Sequence, residues 1–158
     1  RMEFHFEKVE LMSLVQQAIE STSAYATKHE VRFELGESVS GAIVRVDPDR
    51  MIQVLTNVLS NAVRFSAPED VVTVSASRED HVLRVAVSDR GPGISDDFRE
   101  HVFEAFARGD GEDWRHRSGT GLGMSISKGI IEELGGAITF ETEVGVGTTF
   151  LIDVPEFA

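Results

Sequence analysis

Two stretches of the chain, 71–77 and 82–89, alternate apolar and polar residues on either side of Arg78-Glu79-Asp80. Successive side chains of a strand point to opposite faces, so this pattern makes a hairpin with one apolar face and one wet face. That apolar face has to be covered, and the remainder of the chain must supply the cover. In the second strand Leu83, Val85, Val87 and Asp89 share parity. A carboxylate therefore ends the strand on the side that carries the core.

The cover is legible as helices. Leu11, Leu14, Val15, Ala18, Ile19, Thr22 and Tyr25 recur every three or four residues, which predicts an amphipathic helix over about 10–27. Asp47-Pro48 reads as an N-cap followed by a first-turn proline and predicts a second helix over about 48–64. Leu122, Ile126, Ile130 and Leu134 predict a third, stopped by Gly135-Gly136. Short strands are expected at about 4–8, 31–35 and 42–46, and two closing strands at about 137–142 and 148–154 around Gly145-Val146-Gly147. Segment 107–120 has glycine and charge of both signs without apolar periodicity, so it reads as a long loop of the kind that forms lids. Strands and helices mix without strict alternation. The expected fold class is α+β, a two-layer α/β sandwich with a mixed, mostly antiparallel sheet and helices on one face.

At 158 residues with 41% apolar content the chain supplies one core, so 1–158 reads as a single domain. No apolar run approaches the roughly 18 residues needed to cross a bilayer, and no basic-then-apolar leader opens the chain. Membrane contact by this piece is not expected. Beginning at Arg1, the sequence reads as part of a longer parent, with room upstream for a membrane anchor. The absence of cysteine excludes disulfides and fits a reducing cytoplasm. A formal net charge of -12 argues against nucleic acid as a partner. Any bound polyphosphate must be held by local features.

Four segments carry such features. On the second helix, Met51, Leu55, Val58, Leu59 and Ala62 form an apolar stripe, while Arg50, Gln53, Asn57, Asn61 and Arg64 line the opposite side. A solvated face accounts for the latter as well as a ligand does. Asparagine is a poor helix former, however, and two of them one turn apart followed by arginine ask for a further reason. A neutral amide oxygen ligates hard Mg²⁺, and arginine pairs with phosphates. Asp89-Arg90-Gly91-Pro92-Gly93-Ile94 is either a turn or a carboxylate for a base amino group, with glycines letting a ring lie against backbone. Gly119-Thr120-Gly121-Leu122-Gly123 is either a flexible helix entry or a set of amide donors aimed at phosphate. It lacks the Gly-Lys-Ser/Thr of a P-loop and the setting of a Rossmann turn. Gly145-Val146-Gly147-Thr148-Thr149-Phe150 reads as a hairpin, yet Thr148 shares parity with Phe150 and Ile152 and turns its hydroxyl inward.

In this order the four segments resemble the N, G1, G2 and G3 boxes of the GHKL ATP-binding superfamily, whose fold is the Bergerat fold. Phe103-Glu104-Ala105-Phe106-Ala107-Arg108 resembles the F box of bacterial sensor histidine kinases. The resemblance runs from about Asp47 to Val154. It implies that Asn61 ligates Mg²⁺ with Asn57 beside it, and that Arg64 stands where the family places a phosphate-binding lysine. It further implies that Asp89 binds the adenine amino group of ATP, supported through water by Thr148. Gly91, Gly93 and Ile94 would shape the adenine pocket and Arg108 would reach the terminal phosphate. Gly119, Thr120, Gly121, Leu122 and Gly123 would close over the phosphates as part of a lid.

Gyrase-like ATPases and the related anti-sigma serine kinases carry a general-base glutamate one turn before the metal-binding asparagine. Here that position is Asn57, and an amide takes no proton near neutral pH. With the F box, this favours a histidine kinase catalytic domain acting on a histidine of a separate dimerisation and phosphoacceptor domain, with a response regulator downstream. That acceptor hairpin is absent from the sequence, and His5, His29, His81, His101 and His116 lack the family's phosphorylation motif. The expected catalytic set is Asn57, Arg64 and Arg108. The alternatives are a non-catalytic ATP-dependent interaction module and an anti-sigma-type serine kinase.

Overall fold

The computed structural model describes residues 3–104 and 123–157. Along the chain run β1 (Glu7–Glu10), α1 (Leu11–Lys28), β2 (Arg32–Leu35), β3 (Ile43–Val46), α2 (Pro48–Phe65), β4 (Val71–Glu79) and β5 (Val82–Asp89). They are followed by α3 (Asp96–Arg99), α4 (Gly123–Glu133), β6 (Ala137–Glu143) and β7 (Gly147–Pro155). Five strands form one sheet in the order β2-β4-β5-β7-β6, parallel between β2 and β4 and antiparallel elsewhere. β1 and β3 pair antiparallel as a separate ribbon. The architecture is the α+β sandwich that the sequence pattern implies.

Parity decides which face is covered. Val72, Val74 and Ala76 of β4, Leu83, Val85 and Val87 of β5, and Phe150, Ile152 and Val154 of β7 are all buried. Facing them are Leu11, Leu14, Val15 and Ala18 of α1, Met51, Val54, Leu55, Val58 and Leu59 of α2, and Ile130 and Ile131 of α4, in one continuous core. Burying such side chains contributes about 1.5–3 kcal/mol each, so the match between the two apolar patterns sets which way the sheet faces. On the other face Arg84 makes a two-pronged ion pair with its register partner Asp153, and at the end of β4 Arg78 makes a similar pair with Glu156. Half-exposed pairs of this kind add little stability. The Arg84–Asp153 pair marks the register of β5 against β7.

Three local expectations shift. The first strand was expected at 4–8 but lies at Glu7–Glu10, because only these residues find partners in β3. Phe4 and Phe6 stack on each other ahead of it. β4 continues to Glu79, since the ladder with β5 runs on to the pair Glu79↔Val82 and Asp80 takes a left-handed conformation at the turn. The short helix α3 has no apolar period of its own; it is placed by burial of Phe98. The remaining elements lie where the pattern puts them, and α4 ends as expected, with the amides of Gly135 and Gly136 bonded back to the carbonyls of Glu132 and Ile131. The expected loop at 107–120 falls outside the described residues.

The helix that matters most, α2, is started by Asp47. Its carboxylate accepts the amide of Arg50 at 3.1 Å through Oδ1 and the amide of His5 at 2.9 Å through Oδ2. One buried side chain thus caps α2 and ties down the segment leading into β1. Burial alone would raise the Asp47 carboxyl, but the two amides and the charge of Arg50 outweigh it and hold it below its usual value of 3.8. A lowered carboxyl stabilises the fold above the ordinary value, and that contribution is lost as pH falls through the folded one. Asp47→Ala is therefore expected to cost roughly 1–2 kcal/mol in urea unfolding near neutral pH. The variant should also lose less stability than the wild type on acidification below pH 3.8. An unchanged unfolding midpoint would exclude the double tie.

Candidate functional site

β5 is the middle strand of the sheet, and it ends in Asp89, 7% exposed among apolar neighbours. Its Oδ1 accepts the amide of Gly91 at 2.8 Å and that of Thr148 at 3.3 Å. Its Oδ2 accepts nothing from the described residues. No described donor occupies it, so among the described residues Oδ2 is left for an incoming group. Desolvation pushes the Asp89 carboxyl above its usual value; the two amides pull the other way and nearby Asp70 adds a little to the rise. A buried carboxylate, half held and half free, is built to receive a hydrogen-bond donor.

The turn after Asp89 is shaped by two glycines. A Cβ on Gly91 would overlap the carbonyl oxygen of Phe65, so only glycine lets the turn close against the end of α2. Gly93 has φ +80° and a Cβ there would run into the backbone at Glu143. Ile94 is buried and gives its amide to Thr142 Oγ1. The amide of Gly145 bonds the Pro92 carbonyl, which fastens the tip of the β6–β7 hairpin to the same turn. An open groove of about 430 Å³ runs beside it, lined by Phe65, Ser66, Ala67, Arg90, Gly91 and Pro92.

α2 brings the amides and the arginine. Asn61 is 5% exposed, and among the described residues its Oδ1 receives only a long 3.4 Å bond from Arg64 Nη1. A second lone pair of that neutral oxygen is left for a hard cation, so the donor fits Mg²⁺, which takes its other oxygens from phosphates and water. Arg64 is oriented by Tyr25 of α1: Nε donates to the phenol oxygen at 3.0 Å, and the guanidinium lies 5.7 Å from the ring centre. Asn57 donates to the Gly123 carbonyl at 3.4 Å and to Ser127 Oγ at 3.2 Å. In this structure its amide group braces the start of α4 against α2.

Phe103, at the head of the F-box segment, packs against Phe140 and Phe150 with ring centres 5.8 and 6.2 Å away. Arg108, Gly119, Thr120, Gly121 and Leu122 lie outside the described residues, as does the lid expected at 107–120. Gly123 is the one residue of that glycine segment described, placed beside the Asn57 amide. Three contributors were not read from the sequence. Tyr25 counted only as a core position, Ser127 is a fully buried polar residue without a motif, and Thr142 lay at the end of an expected strand. Thr142 was findable: folding the hairpin about Gly145 puts it opposite Thr148.

Known proteins of similar sequence and fold give the family. The family model described as histidine kinase-, DNA gyrase B- and HSP90-like ATPase matches residues 46–158. Sensor protein SrrB of Staphylococcus aureus is 41% identical over 110 residues, which is 70% of this chain but 19% of that protein. Full-length ShkA in complex with AMPPNP superposes with a TM-score of 0.84 at 30% identity, over 98% of this chain and 32% of that one. The mycobacterial sensor histidine kinase MprB gives 0.83 at 26% identity, over 96% of this chain and 98% of that one. The nucleotide-free catalytic domain of the histidine kinase ThkA gives 0.82 at 26%, over 97% of each. With the family model covering the helix that bears both asparagines, the buried carboxylate and the closing hairpin, the chain belongs to the histidine kinase-, DNA gyrase B- and HSP90-like ATPases, as the ATP-binding domain of a sensor histidine kinase.

Proposed function

We propose that this domain binds MgATP and donates the γ-phosphate to a histidine on the separate dimerisation domain of its parent, which then passes it to a response regulator. The observation that carries the reading is Asp89, a buried carboxylate with one oxygen fixed by two amides and the other open. It suits the exocyclic amino group of adenine. Support for the wider chain of transfer comes from relatives: SrrB is a sensor protein, and ThkA, 25% identical, has been seen in complex with the response regulator TrrA. No described helix is long and apolar enough to cross a membrane. The domain would work in the cytoplasm, with any membrane anchor of the parent outside this segment.

In this reading Asp89 accepts from the adenine amino group while Gly91, Gly93 and Ile94 form the floor of the base pocket. Asn61 would hold Mg²⁺, which when bound offsets charge on the phosphates. Arg64, steadied by Tyr25, and Arg108 would pair with phosphate oxygens. Gly119, Thr120, Gly121, Leu122 and Gly123 would close over them as a lid. Asn57 cannot act as a base, so the domain positions the terminal phosphate for an outside nucleophile in place of activating water. The acceptor imidazole then bonds phosphorus as the bridging oxygen leaves with ADP.

Calorimetry should find ADP binding to Asp89→Ala weakened ten- to hundred-fold, about 1.5–3 kcal/mol, as for loss of a charged hydrogen bond. Unchanged affinity would remove the adenine anchor. Because burial raises the Asp89 carboxyl, ADP affinity should fall on acidification while the pH is still above 3.8, and Asp89→Asn should lack this step. Asn61→Ala should abolish Mg²⁺-dependent labelling of the parent's histidine-bearing domain by radiolabelled ATP and still bind metal-free ADP. Label that survives acid would count against phosphohistidine.

A further inference from the structure

Asp89, Thr148 and Thr142 stand in one row across three strands: Asp89 is the register partner of Thr148, and Thr148 of Thr142. Thr142 Oγ1 has three partners. It accepts the amide of Ile94 at 2.8 Å, lies 2.8 Å from Thr148 Oγ1, and donates to the Gly147 carbonyl at 3.2 Å. A hydroxyl has one proton and two lone pairs. The Ile94 amide can only donate and the Gly147 carbonyl can only accept. All three bonds are met together in one way: Thr142 gives its proton to Gly147, and Thr148 gives its own to Thr142.

This fixes what the Asp89 end of the row offers a ligand bound there. Thr148 has no proton left to donate, and the open oxygen of Asp89 is an acceptor. The row presents acceptors alone, which matches a purine carrying an amino group at position 6 and opposes one carrying a carbonyl there. An acceptor facing an acceptor leaves both unpaired in a buried site, the kind of mismatch that discriminates strongly between otherwise similar ligands. We propose that Thr142 is the residue that sets base selectivity, by taking the Thr148 proton and fastening the Ile94 turn to the hairpin. The inference rests on the reading of Asp89 as the base anchor, and Thr142 acts through its neighbours as a positioning residue.

The test compares ADP with inosine diphosphate, which carries a carbonyl at position 6 and a proton on N1, by calorimetry on the wild type, Thr142→Val, Thr142→Ser and Asp89→Asn. Valine keeps the branched shape but frees the Thr148 proton, which can then turn toward a carbonyl. The ratio of ADP to inosine diphosphate affinity is expected to fall about ten-fold in Thr142→Val and to stay within about two-fold of wild type in Thr142→Ser. A Thr142→Val ratio equal to wild type overturns the proposal, and so does an equal loss for both nucleotides, which a merely structural role would give. If Asp89→Asn binds ADP as the wild type does, the base-anchor reading itself fails. That outcome is distinct from one in which Asp89→Asn loses binding while Thr142→Val keeps its selectivity. Should Thr142→Val not fold, neutron diffraction from the wild type still decides. Deuterium on Thr148 Oγ1 directed at Thr142 supports the assignment, and deuterium directed elsewhere refutes it.

Discussion

Asp89 sits on the apolar side of the middle strand, where a charge left without partners would cost several kcal/mol and would simply take up a proton. The site is organised around lessening that cost. Two backbone amides, from Gly91 and Thr148, converge on one carboxylate oxygen. Bringing the first within reach requires the chain to double back immediately after the strand. Bringing the second requires the closing hairpin to lie beside it in one register. The carboxyl is nonetheless raised, so burial still outweighs the bonds it has. The second oxygen carries that remaining need, and a ligand donor would meet it.

The turn and the hairpin are in turn held by α2. Its apolar stripe lies on the sheet, and its C-terminal residue Phe65 is so close to Gly91 that no side chain fits between. Helix, strand end and hairpin tip therefore cannot move independently. The asparagines share the helix with the core-facing leucines, which fixes their distance from Asp89 by the packing of α2 on β5. The core and both asparagines are thus carried by one helix. The cap at Asp47 matters to the site for the same reason, since fraying of the first turn would loosen the whole lever.

Much of this was legible beforehand. Strict alternation in 71–77 and 82–89, the Asp47-Pro48 start and the Gly135-Gly136 stop are local signals, and each element appears where they put it. The buried side of Asp89 also follows from parity alone. The first strand starts three residues later than expected, because a residue joins a ladder only where a partner strand is present, and β3 pairs with Glu7–Glu10 alone. The helix α3 is too short to carry a period. Among the site residues, Asn57 illustrates the limit of motif reading: its amide is engaged by Gly123 and Ser127, 66 and 70 positions away.

What the sequence by itself determined was the set of elements, the face each one buries and the order of its boxes, because these depend on spacing within a few residues. The tertiary structure decided which polar atoms meet: Arg64 with Tyr25 across 39 residues, Ile94 with Thr142 across 48, and Thr148 with Asp89 across 59. Hydrogen bonds are short and directional, so a pairing of that kind depends on ångström-level placement of distant segments. No local pattern encodes it. Only the packing of the helices on the sheet brings those atoms within reach.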